Sequence, residues 1–334
     1  MQILPRVSVI IPTYNRAILL PRAIQSVLEQ DFGDFELVII DDGSMDETWQ
    51  VMAQFPDPRI RYIRLEKNQG IGFARGEGVR QSRGELVAFN DSDDVWLPGK
   101  LGLQVMIMQG HPQIDILFGD FWNINQVTGE KALGFHQAAR AIGNMRTQEL
   151  EEDVYQVISD YPQALLSQSF MSPPTVMMRK KVFDTIGNFD SELSGPEDFE
   201  LWWRAAVKNI CFALVRKPLI ERYKTEQSIT FQYLYFIPMK LKALEKAEQS
   251  ARLQGRLELI SFLNQARGRA WDSLIYVHAL NGNRMNAWIA FRKSLRYGIS
   301  LRAVLYFLAA LAGPQIISWV KWSLRRFECL LGPG

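Results

Sequence analysis

The most informative group of ionisable side chains in this sequence is the run from Asp91 to Asp94, which holds three carboxylates in four residues. It follows directly on the apolar residues 86–89, a run typical of a buried strand. Ligands of open α/β sheets bind beyond the carboxyl ends of the strands, and carboxylates crowded there repel one another unless a cation neutralises them. We therefore predict that Asp91 and Asp93 face a diphosphate and one hard divalent cation, Mg²⁺ or Mn²⁺. The alternative is a solvated acidic loop, because Asp-X-Asp is a common pattern.

A second acidic turn, which contains Asp41 and Asp42, ends an earlier apolar run at the same predicted edge of the sheet. Asp and Gly are typical of tight turns, and residues 46–48 could start a helix with a cap. This structural explanation and a functional one are compatible. Asp41 could serve the turn while Asp42 accepts a hydrogen bond from a nucleotide base.

A third acidic group, Glu197 and Asp198, falls in the first turn of a helix predicted over 196–208. The helix macrodipole favours negative charge at this position, which is a sufficient structural explanation. An acid at a helix start could equally act as the general base for a hydroxyl group. Trp202 could be a core residue or a platform for a sugar. We place Glu197 and Trp202 on the acceptor side of the predicted site.

Residue usage disfavours several other kinds of site. Histidines occur only at 111, 136 and 278, which argues against a histidine metal cluster and a Ser-His-Asp triad. Cys211 and Cys329 provide neither a disulfide framework nor a thiolate metal site. The glycine-rich run 70–78 has Arg75 where the dinucleotide-binding fingerprint requires glycine, so we do not expect a nicotinamide cofactor.

The first ninety residues alternate strand-like and helix-like segments. Apolar, β-branched runs predict four strands, over 7–11, 36–40, 60–65 and 86–89. Helical segments between the strands indicate βαβ units and a mostly parallel sheet. Later strands are predicted over 114–124, 175–178, 210–215 and 219–223, whereas residues 130–170 show no clear pattern.

The C-terminal third differs in charge and pattern. Residues 226–334 are predicted to be helical, with a break near 279–283, and carry 15 Lys/Arg against 6 Asp/Glu. Such a surface can meet an anionic partner, either membrane headgroups or nucleic acid, or it can be a well-solvated helical surface. Residues 303–331 contain an uncharged run that is broken by Gly313-Pro314. A packed helix pair, interfacial membrane contact and a bilayer span all stay open for this segment.

The N-terminus shows no signal-peptide pattern. We therefore expect a cytoplasmic protein, either free or peripheral on the inner face of a membrane. Nucleic acid is not expected as a partner.

Five segments in register resemble glycosyltransferase family 2, an inverting family with the GT-A fold. They are Val7–Arg16, Phe35–Ser44, Asn68–Gly70 with Ala74-Arg75, Arg83–Glu85 leading into Asp91–Asp94, and Glu197-Asp198. The agreement covers roughly residues 5–225. The resemblance implies an α/β, Rossmann-like GT-A domain over 1–225, with a mixed, mostly parallel sheet flanked by helices. Its nucleotide-binding half would span about 1–110 and its acceptor half about 111–225, followed by a helical region over 226–334.

The resemblance also implies roles for individual residues. Tyr14 corresponds to the ring that stacks on the donor base, and Asp42 to the acid that reads the edge of that base, usually uracil. Asp93 corresponds to the direct metal ligand, Asp91 to the acid beside it, and Asp198 to the catalytic base. The expected nucleotide-binding residues are Pro12, Tyr14, Arg16, Asp42, Arg75 and Asp91, and the expected metal ligands are Asp93 and Asp91.

The implied activity is transfer of a sugar from a nucleoside-diphosphate donor to a hydroxyl of a glycan or lipid-linked acceptor. The Gln-x-x-Arg-Trp signature of processive synthases is absent, so we expect single additions, as in assembly of a bacterial surface glycan. Gly76 and Asn90 depart from the family pattern beside the nucleotide site. Two alternatives stay open: a catalytically silent sugar-nucleotide-binding or glycan-binding relative, and a nucleotidyltransferase, whose phosphate loop would replace Pro12–Asn15.

Overall fold

Short apolar runs of the N-terminal region form the strands that their pattern predicts. A computed structural model describes residues 4–126, 128–168, 170–224, 232–312 and 316. Its first elements are β1 (Val7–Thr13), α1 (Leu20–Leu28), β2 (Phe35–Asp41), α2 (Thr48–Val51), β3 (Ile60–Arg64), α3 (Ile71–Gln81) and β4 (Leu86–Phe89). The chain divides into two compact units, Met1–Glu226 and Gln227–Gly334.

The rest of the first unit adds shorter strands and helices to this framework. They are β5 (Val95–Trp96), α4 (Lys100–Gly110), β6 (Ile116–Asn125), β7 (Lys131–Leu133), α5 (Gly134–Gln137), α6 (Ala139–Gly143), β8 (Arg146–Glu151), β9 (Val154–Ser159), α7 (Tyr161–Ser167), β10 (Met177–Arg179), α8 (Val182–Ile186), α9 (Glu197–Val207) and β11 (Phe212–Lys224).

One mixed sheet of 11 strands joins these elements. Nine strands follow the order β3-β2-β1-β4-β10-β6-β11-β9-β8, and β5 and β7 pair with β11 and β6 beside this path. Strands β1 to β4 pair in parallel. The short strand β10 is antiparallel to both β4 and β6, and β11 is parallel to β6. All the long central strands therefore run in one direction, and the predicted fold class is confirmed.

The sheet has an apolar layer on each face, because successive strand side chains point to opposite sides. Val9 and Ile11 of β1 contribute to one core with Ile24 of α1 and Leu101 of α4. Ile10, between them in the sequence, contributes to the other core with residues of α7, α8 and α9. Helices on both faces thus fix the sheet edge from which the acidic turns emerge.

Three details of the predicted strand pattern differ in the structure. Pro173–Thr175 forms a 3₁₀ turn, so the strand predicted over 175–178 is β10 instead. The two strands predicted over 210–215 and 219–223 are one strand, β11, whose register shifts on either side of Pro218. Proline has no N–H to donate to a ladder, so it is tolerated at such irregularities. Residues 130–170, which showed no pattern, form short elements around the β8–β9 hairpin.

The second unit is helical in its described part, as predicted. It contains α10 (Tyr233–Leu253), α11 (Ile260–Leu280), α12 (Arg284–Ser294) and α13 (Leu301–Ala312). The predicted break falls at Asn283, whose side chain accepts a hydrogen bond from the N–H of Asn286 and caps α12. The helix predicted over 315–331 lies outside the described residues except for residue 316. Within the described ranges, no helix has both the length and the apolar character needed to cross a bilayer.

Candidate active site

The carboxyl ends of β1, β2 and β4 lie side by side, because β1 pairs in parallel with both neighbours. Three turns leave from this edge of the sheet: residues 14–19 after β1, residues 42–47 after β2 and residues 90–94 after β4. This is the edge at which open α/β sheets bind their ligands. Most of the predicted nucleotide and metal residues lie on these turns.

The turn after β1 is tied to the turn after β2 by reciprocal hydrogen bonds. The Asn15 N–H donates to Ser44 Oγ at 2.9 Å, and the Met45 N–H donates to Asn15 Oδ1 at 2.8 Å. Asn15 has φ of 51°, a left-handed conformation that asparagine tolerates. This frame presents the Tyr14 ring, which is 38% exposed, to solvent. Pro12 is buried within β1 beside Ile40 of β2.

Asp41 and Asp42 have separate tasks in the second turn. Asp41 closes the turn, since its Oδ1 accepts the N–H of Ser44 at 2.9 Å. Asp42 accepts the N–H groups of Gln69 and Gly70, each at 2.8 Å, one on each carboxylate oxygen. Burial raises the pKa of Asp42, and these two hydrogen bonds partly offset that rise. Each oxygen keeps a further acceptor position, so contact with a base remains chemically feasible.

Asp91, Asp93 and Asp94 form an acid cluster, in which one oxygen from each side chain lies within 4.8 Å of the others. Burial, and then the charge of Asp91, raises the pKa of Asp93. Burial, with the charges of Asp91 and Asp93, raises the pKa of Asp94 well above its ordinary value. A bound cation would relieve this repulsion. The all-oxygen donor set of the acid cluster fits Mg²⁺ or Mn²⁺.

Asp94, a member of the acid cluster, and Arg222, whose charge reaches the cluster, were not among the predicted site residues. Asp94 Oδ1 accepts the backbone N–H of Tyr223 in β11 at 3.3 Å, which fixes the third carboxylate beside the other two. Three acids in four residues had indicated Asp94, but the sequence alone did not settle which of them share a face. Arg222 also lies near, because its charge lowers the pKa of both Asp93 and Asp94. Its position in β11 carried no local signal.

Arg75 connects the acid cluster to the start of α9. The side chain is 2% exposed; its Nη2 lies 2.5 Å from Asp91 Oδ1, and its Nη1 pairs with Glu197 Oε1. Burial would lower the pKa of Arg75, but the charges of Asp91 and Glu197 raise it above the ordinary value. The contact of Arg75 with the nucleotide stays a prediction. The guanidinium is engaged by two protein carboxylates.

Close packing of α3 makes this connection possible. A Cβ at Gly72 would lie 2.6 Å from the carbonyl oxygen of Leu193 and 2.7 Å from that of Asp190. A Cβ at Gly78 would lie 2.3 Å from Cγ2 of Ile10 in β1. Gly72 and Gly78, two of the glycines in the run that imitates a dinucleotide fingerprint, thus serve helix packing, and Gly72 brings Arg75 within reach of Glu197.

Asp198, the second residue of α9, is partly exposed beside this ion pair. Burial and the charge of Glu197 raise its pKa to about 7, against a lowering contribution from Arg75. Its Oδ1 accepts the N–H of Phe199 at 2.6 Å. A carboxylate with a pKa near neutrality is well matched to accepting a proton from a hydroxyl group.

Contacts of α3 and of the 69–70 turn before it connect the three acidic groups at one end of the sheet. Asp42 holds the N–H groups of the 69–70 turn, and a Cβ at Gly70 would lie 3.5 Å from Ser194 Oγ, close before α9. Glu197, at the start of α9, is joined through Arg75 to Asp91. The charge of Asp91 also contributes to the raised pKa of Asp198. Arg16 likewise lies near enough to Asp93 to lower its pKa.

The predicted acceptor-side position of Trp202 does not fit the structure. Trp202 is 1% exposed and packs in the core with Leu201 and Ala205 of the same helix. Its indole offers no face to a sugar, because the apolar stripe of α9 points at the sheet. Glu197 is also 1% exposed, and it accepts the N–H of Gly195 at 2.6 Å in addition to pairing with Arg75. Glu197 therefore acts on the site through the protein groups that it holds, Arg75 and the N–H of Gly195.

The family assignment follows from comparison with known proteins. The model of the family described as glycosyl transferase family 2 matches residues 8–187, more than half of the chain. This range contains the three turns, the acid cluster and α3. The chain belongs to glycosyltransferase family 2.

Two curated relatives each match about a third of the chain. One is the Escherichia coli UDP-Glc:alpha-D-GlcNAc-diphosphoundecaprenol beta-1,3-glucosyltransferase WfgD, 35% identical over 119 residues, which are 36% of this chain and 47% of that protein. Another is the Campylobacter jejuni GalNAc(5)-diNAcBac-PP-undecaprenol beta-1,3-glucosyltransferase, 44% identical over 102 residues, 29% of this chain and 33% of that protein. The chain thus spans less than half the length of these relatives.

Solved structures resemble the chain over most of its length. Staphylococcus aureus TarS 1–349 in complex with UDP-GlcNAc aligns with a TM-score of 0.58 and 20% identity, covering 89% of this chain and 93% of that one. The Pyrobaculum calidifontis mannosyltransferase PcManGT, in complex with GDP-Man and Mn²⁺, aligns with a TM-score of 0.55 and 16% identity, covering 94% and 88%. At these identities the likeness shows the shared fold.

Proposed function

We propose that the protein is an inverting, non-processive glycosyltransferase that uses a UDP-linked sugar donor. The observation that carries this proposal is the ion-pair chain Asp91–Arg75–Glu197, which joins the acid cluster to the helix that bears Asp198. Direct displacement at an anomeric carbon needs a base on the acceptor side and charge stabilisation on the diphosphate side. These ion pairs bring a candidate acceptor base, Asp198, and a candidate group for charge stabilisation, the acid cluster, to one end of the sheet.

The proposed donor site lies over the turns after β1, β2 and β4. Tyr14, half exposed, stacks on the base, with Pro12 at its back, and Asp42 accepts a hydrogen bond from the base edge. Asp91, Asp93 and Asp94 would hold Mg²⁺ or Mn²⁺. When bound, the ion neutralises negative charge that gathers on the departing diphosphate. Arg16, whose charge already reaches Asp93, lies on the same side as the diphosphate.

The proposed acceptor step belongs to Asp198. Its carboxylate takes the proton of the attacking hydroxyl as the new glycosidic bond forms and the bond to the diphosphate breaks. Glu197 and Arg75 position Asp198 and have no contact with the reacting atoms. The acceptor is a glycan or a lipid-linked saccharide, a class supported by the diphosphoundecaprenol acceptors in the names of two relatives. The proposed setting is the cytoplasmic face of a membrane.

A donor screen tests the proposal. The purified chain is incubated with a panel of nucleotide sugars, with Mn²⁺ or with EDTA, and release of the nucleoside diphosphate is followed. We expect release from one UDP-sugar, lost on chelation and in Asp93→Asn. If every donor stayed intact while UDP still bound, the chain would be the catalytically silent relative. Release of pyrophosphate from a nucleoside triphosphate would instead indicate a nucleotidyltransferase.

Product stereochemistry tests the inverting step separately. Once a donor and an acceptor are known, the anomeric configuration of the product is read by NMR. Inversion relative to the donor agrees with a single displacement assisted by Asp198. Retention would exclude this mechanism and leave the glycosyltransferase assignment standing.

A further inference from the structure

The second unit carries an exposed apolar surface on its last two described helices. Met285 and Trp288 of α12 are 69% and 41% exposed, and Leu311 of α13 is 49% exposed. With Arg284 and Phe307 they line an open groove of about 590 Å³. We call this surface the α12–α13 face.

Aromatic stacking holds the α12–α13 face in shape. The Trp288 ring lies 5.2 Å from the Phe307 ring, and Phe307 stacks on Phe291 at 4.7 Å with an interplanar angle of 11°. These contacts join α12 to α13 beneath the groove. The exposed side chains of the α12–α13 face therefore project from two helices that pack against each other through aromatic rings.

The charges around the α12–α13 face have one sign. Among the described residues, 273–312 contain five Lys/Arg and no Asp or Glu. Arg284 lines the groove itself. Arg292, which is exposed, follows Trp288 by four residues and so lies on the same stripe of α12. Arg296, also exposed, lies in the 3₁₀ turn Leu295–Tyr297 directly after the helix. The apolar groove thus has one arginine in its lining and further exposed cationic side chains along α12 and the turn after it, with no acidic residue in this stretch of sequence to neutralise them.

We propose that the α12–α13 face docks the protein on the surface of an anionic lipid bilayer. Apolar and tryptophan side chains on one face, bordered by Lys and Arg, are the composition of interfacial helices, and each basic residue near an anionic headgroup layer adds to the attraction. This inference deepens the proposed function and rests on it in one respect: a lipid-linked acceptor is presented at such a surface. Uniform positive charge favours this occupant over a second copy of the same surface, which would repel it.

Vesicle flotation with the full chain tests the docking. Vesicles of phosphatidylcholine alone are compared with equal mixtures of phosphatidylcholine and phosphatidylglycerol, at low and high salt, with no donor present. We expect flotation with the anionic vesicles only, and loss of flotation as salt screens the attraction. Binding is measured without catalysis, so the outcome is independent of whether the chain transfers a sugar.

Two variants locate the contact on the α12–α13 face. Arg292→Gln/Arg296→Gln should lower the partition coefficient about 30-fold, since two cationic contacts are lost. The matched control is Arg146→Gln/Lys181→Gln, which removes two exposed charges from the first unit and should leave binding unchanged. Met285→Ser/Leu311→Ser should also weaken binding while keeping the Trp288–Phe307 stack. Its control is Leu253→Ser/Leu257→Ser, on exposed positions outside the groove.

The outcomes are distinct. The proposal is supported if both variants of the α12–α13 face, Arg292→Gln/Arg296→Gln and Met285→Ser/Leu311→Ser, lose vesicle binding. Both controls should then bind like wild type, and all circular dichroism spectra should be unchanged. The proposal is overturned if these two variants bind anionic vesicles as well as wild type does, or if the wild-type chain does not bind them at all. If the Met285→Ser/Leu311→Ser variant instead loses self-association in sedimentation velocity while vesicle binding persists, the face is an interface between copies and the proposal is wrong.

Discussion

At the scale of single residues, the chemistry proposed here depends on where negative charge is placed and how it is compensated. Asp198 is held beside Glu197, and Glu197 is compensated by Arg75, which also pairs with Asp91. One buried guanidinium therefore sets the electrostatics of both the acceptor base and the acid cluster. Three predictions belong to this scale.

Asp198→Asn should lower turnover about 10²–10⁴-fold, because an amide cannot accept the acceptor proton. The KM for the donor should change little, since Asp198 lies on the acceptor side. Steady-state kinetics measures both. The control Asp184→Asn alters an exposed acid of α8 and should retain activity. Wild-type turnover in Asp198→Asn would remove this residue from the mechanism.

The raised pKa of Asp198 predicts the direction of the pH dependence. The base must be ionised to act, so kcat/KM should fall about tenfold per pH unit below the pKa of about 7 and level off above it. A pH profile of kcat/KM at saturating metal checks this. A kcat/KM that stays constant between about pH 5.5 and about pH 8 would contradict the assignment.

Arg75→Met should destabilise the protein by about 3–5 kcal/mol, because it leaves Glu197 as a buried, unpaired carboxylate. Adding Glu197→Gln removes that charge and should restore part of the free energy of unfolding, which urea titration measures. Activity should stay low in the double variant, since Asp91 has still lost its partner. If the second substitution restored no stability, the unpaired charge of Glu197 would not be the reason for the first effect.

At the scale of elements, the packing of α3 brings the two halves of the site together. Gly72 lets this helix approach the carbonyl groups of Asp190 and Leu193, just ahead of α9. The same approach puts Arg75, less than one turn further along α3, beside Glu197. A glycine in a helix interior costs about 1 kcal/mol relative to alanine, and here that cost is offset by contact between elements.

Gly72→Ala should therefore destabilise the first unit by about 1–3 kcal/mol in spite of the better helix propensity, because the new methyl group meets backbone oxygens. Turnover should fall with it, as α3 moves away from α9. Gly76→Ala is a matched control on the same helix: its Cβ would lie 3.6 Å from the Asn188 side chain, an ordinary contact. Thermal melts and donor hydrolysis distinguish the two, and equal behaviour would exclude the packing argument.

At the scale of the whole molecule, each unit has its own core. The two large apolar clusters of the first unit lie within residues 7–220, and that of the second unit lies within residues 237–310. A unit with a complete core can fold independently. The proposed donor site draws only on the first unit.

Residues 1–226 alone should therefore fold and bind UDP in the presence of Mn²⁺. Ligand binding to the folded state raises the melting temperature, so a UDP-dependent shift in a thermal melt is the expected result. The full chain serves as the reference. An insoluble fragment, or a folded one without a shift, would show that the second unit is needed for the donor site.

Local sequence determined much of this protein. Short-range patterns predicted the strands of the first ninety residues, the acidic turns that follow them and the break before α12. They could do so because alternation, turn chemistry and capping act over a few residues. The type of metal was likewise indicated by the scarcity of histidine and the abundance of clustered carboxylates. The family followed from motifs in register.

Only the tertiary structure decided which groups meet. Arg75 and Glu197 are 122 positions apart, and nothing local in either motif indicates their pairing. The same holds for Asp94 with Tyr223, for the burial of Trp202 and for the joining of two predicted strands into β11. These features depend on long-range packing, where burial and Coulomb interactions between distant segments outweigh local preference. The sequence therefore indicated which residues could bind a metal or accept a proton, whereas the fold determined which side chains they contact.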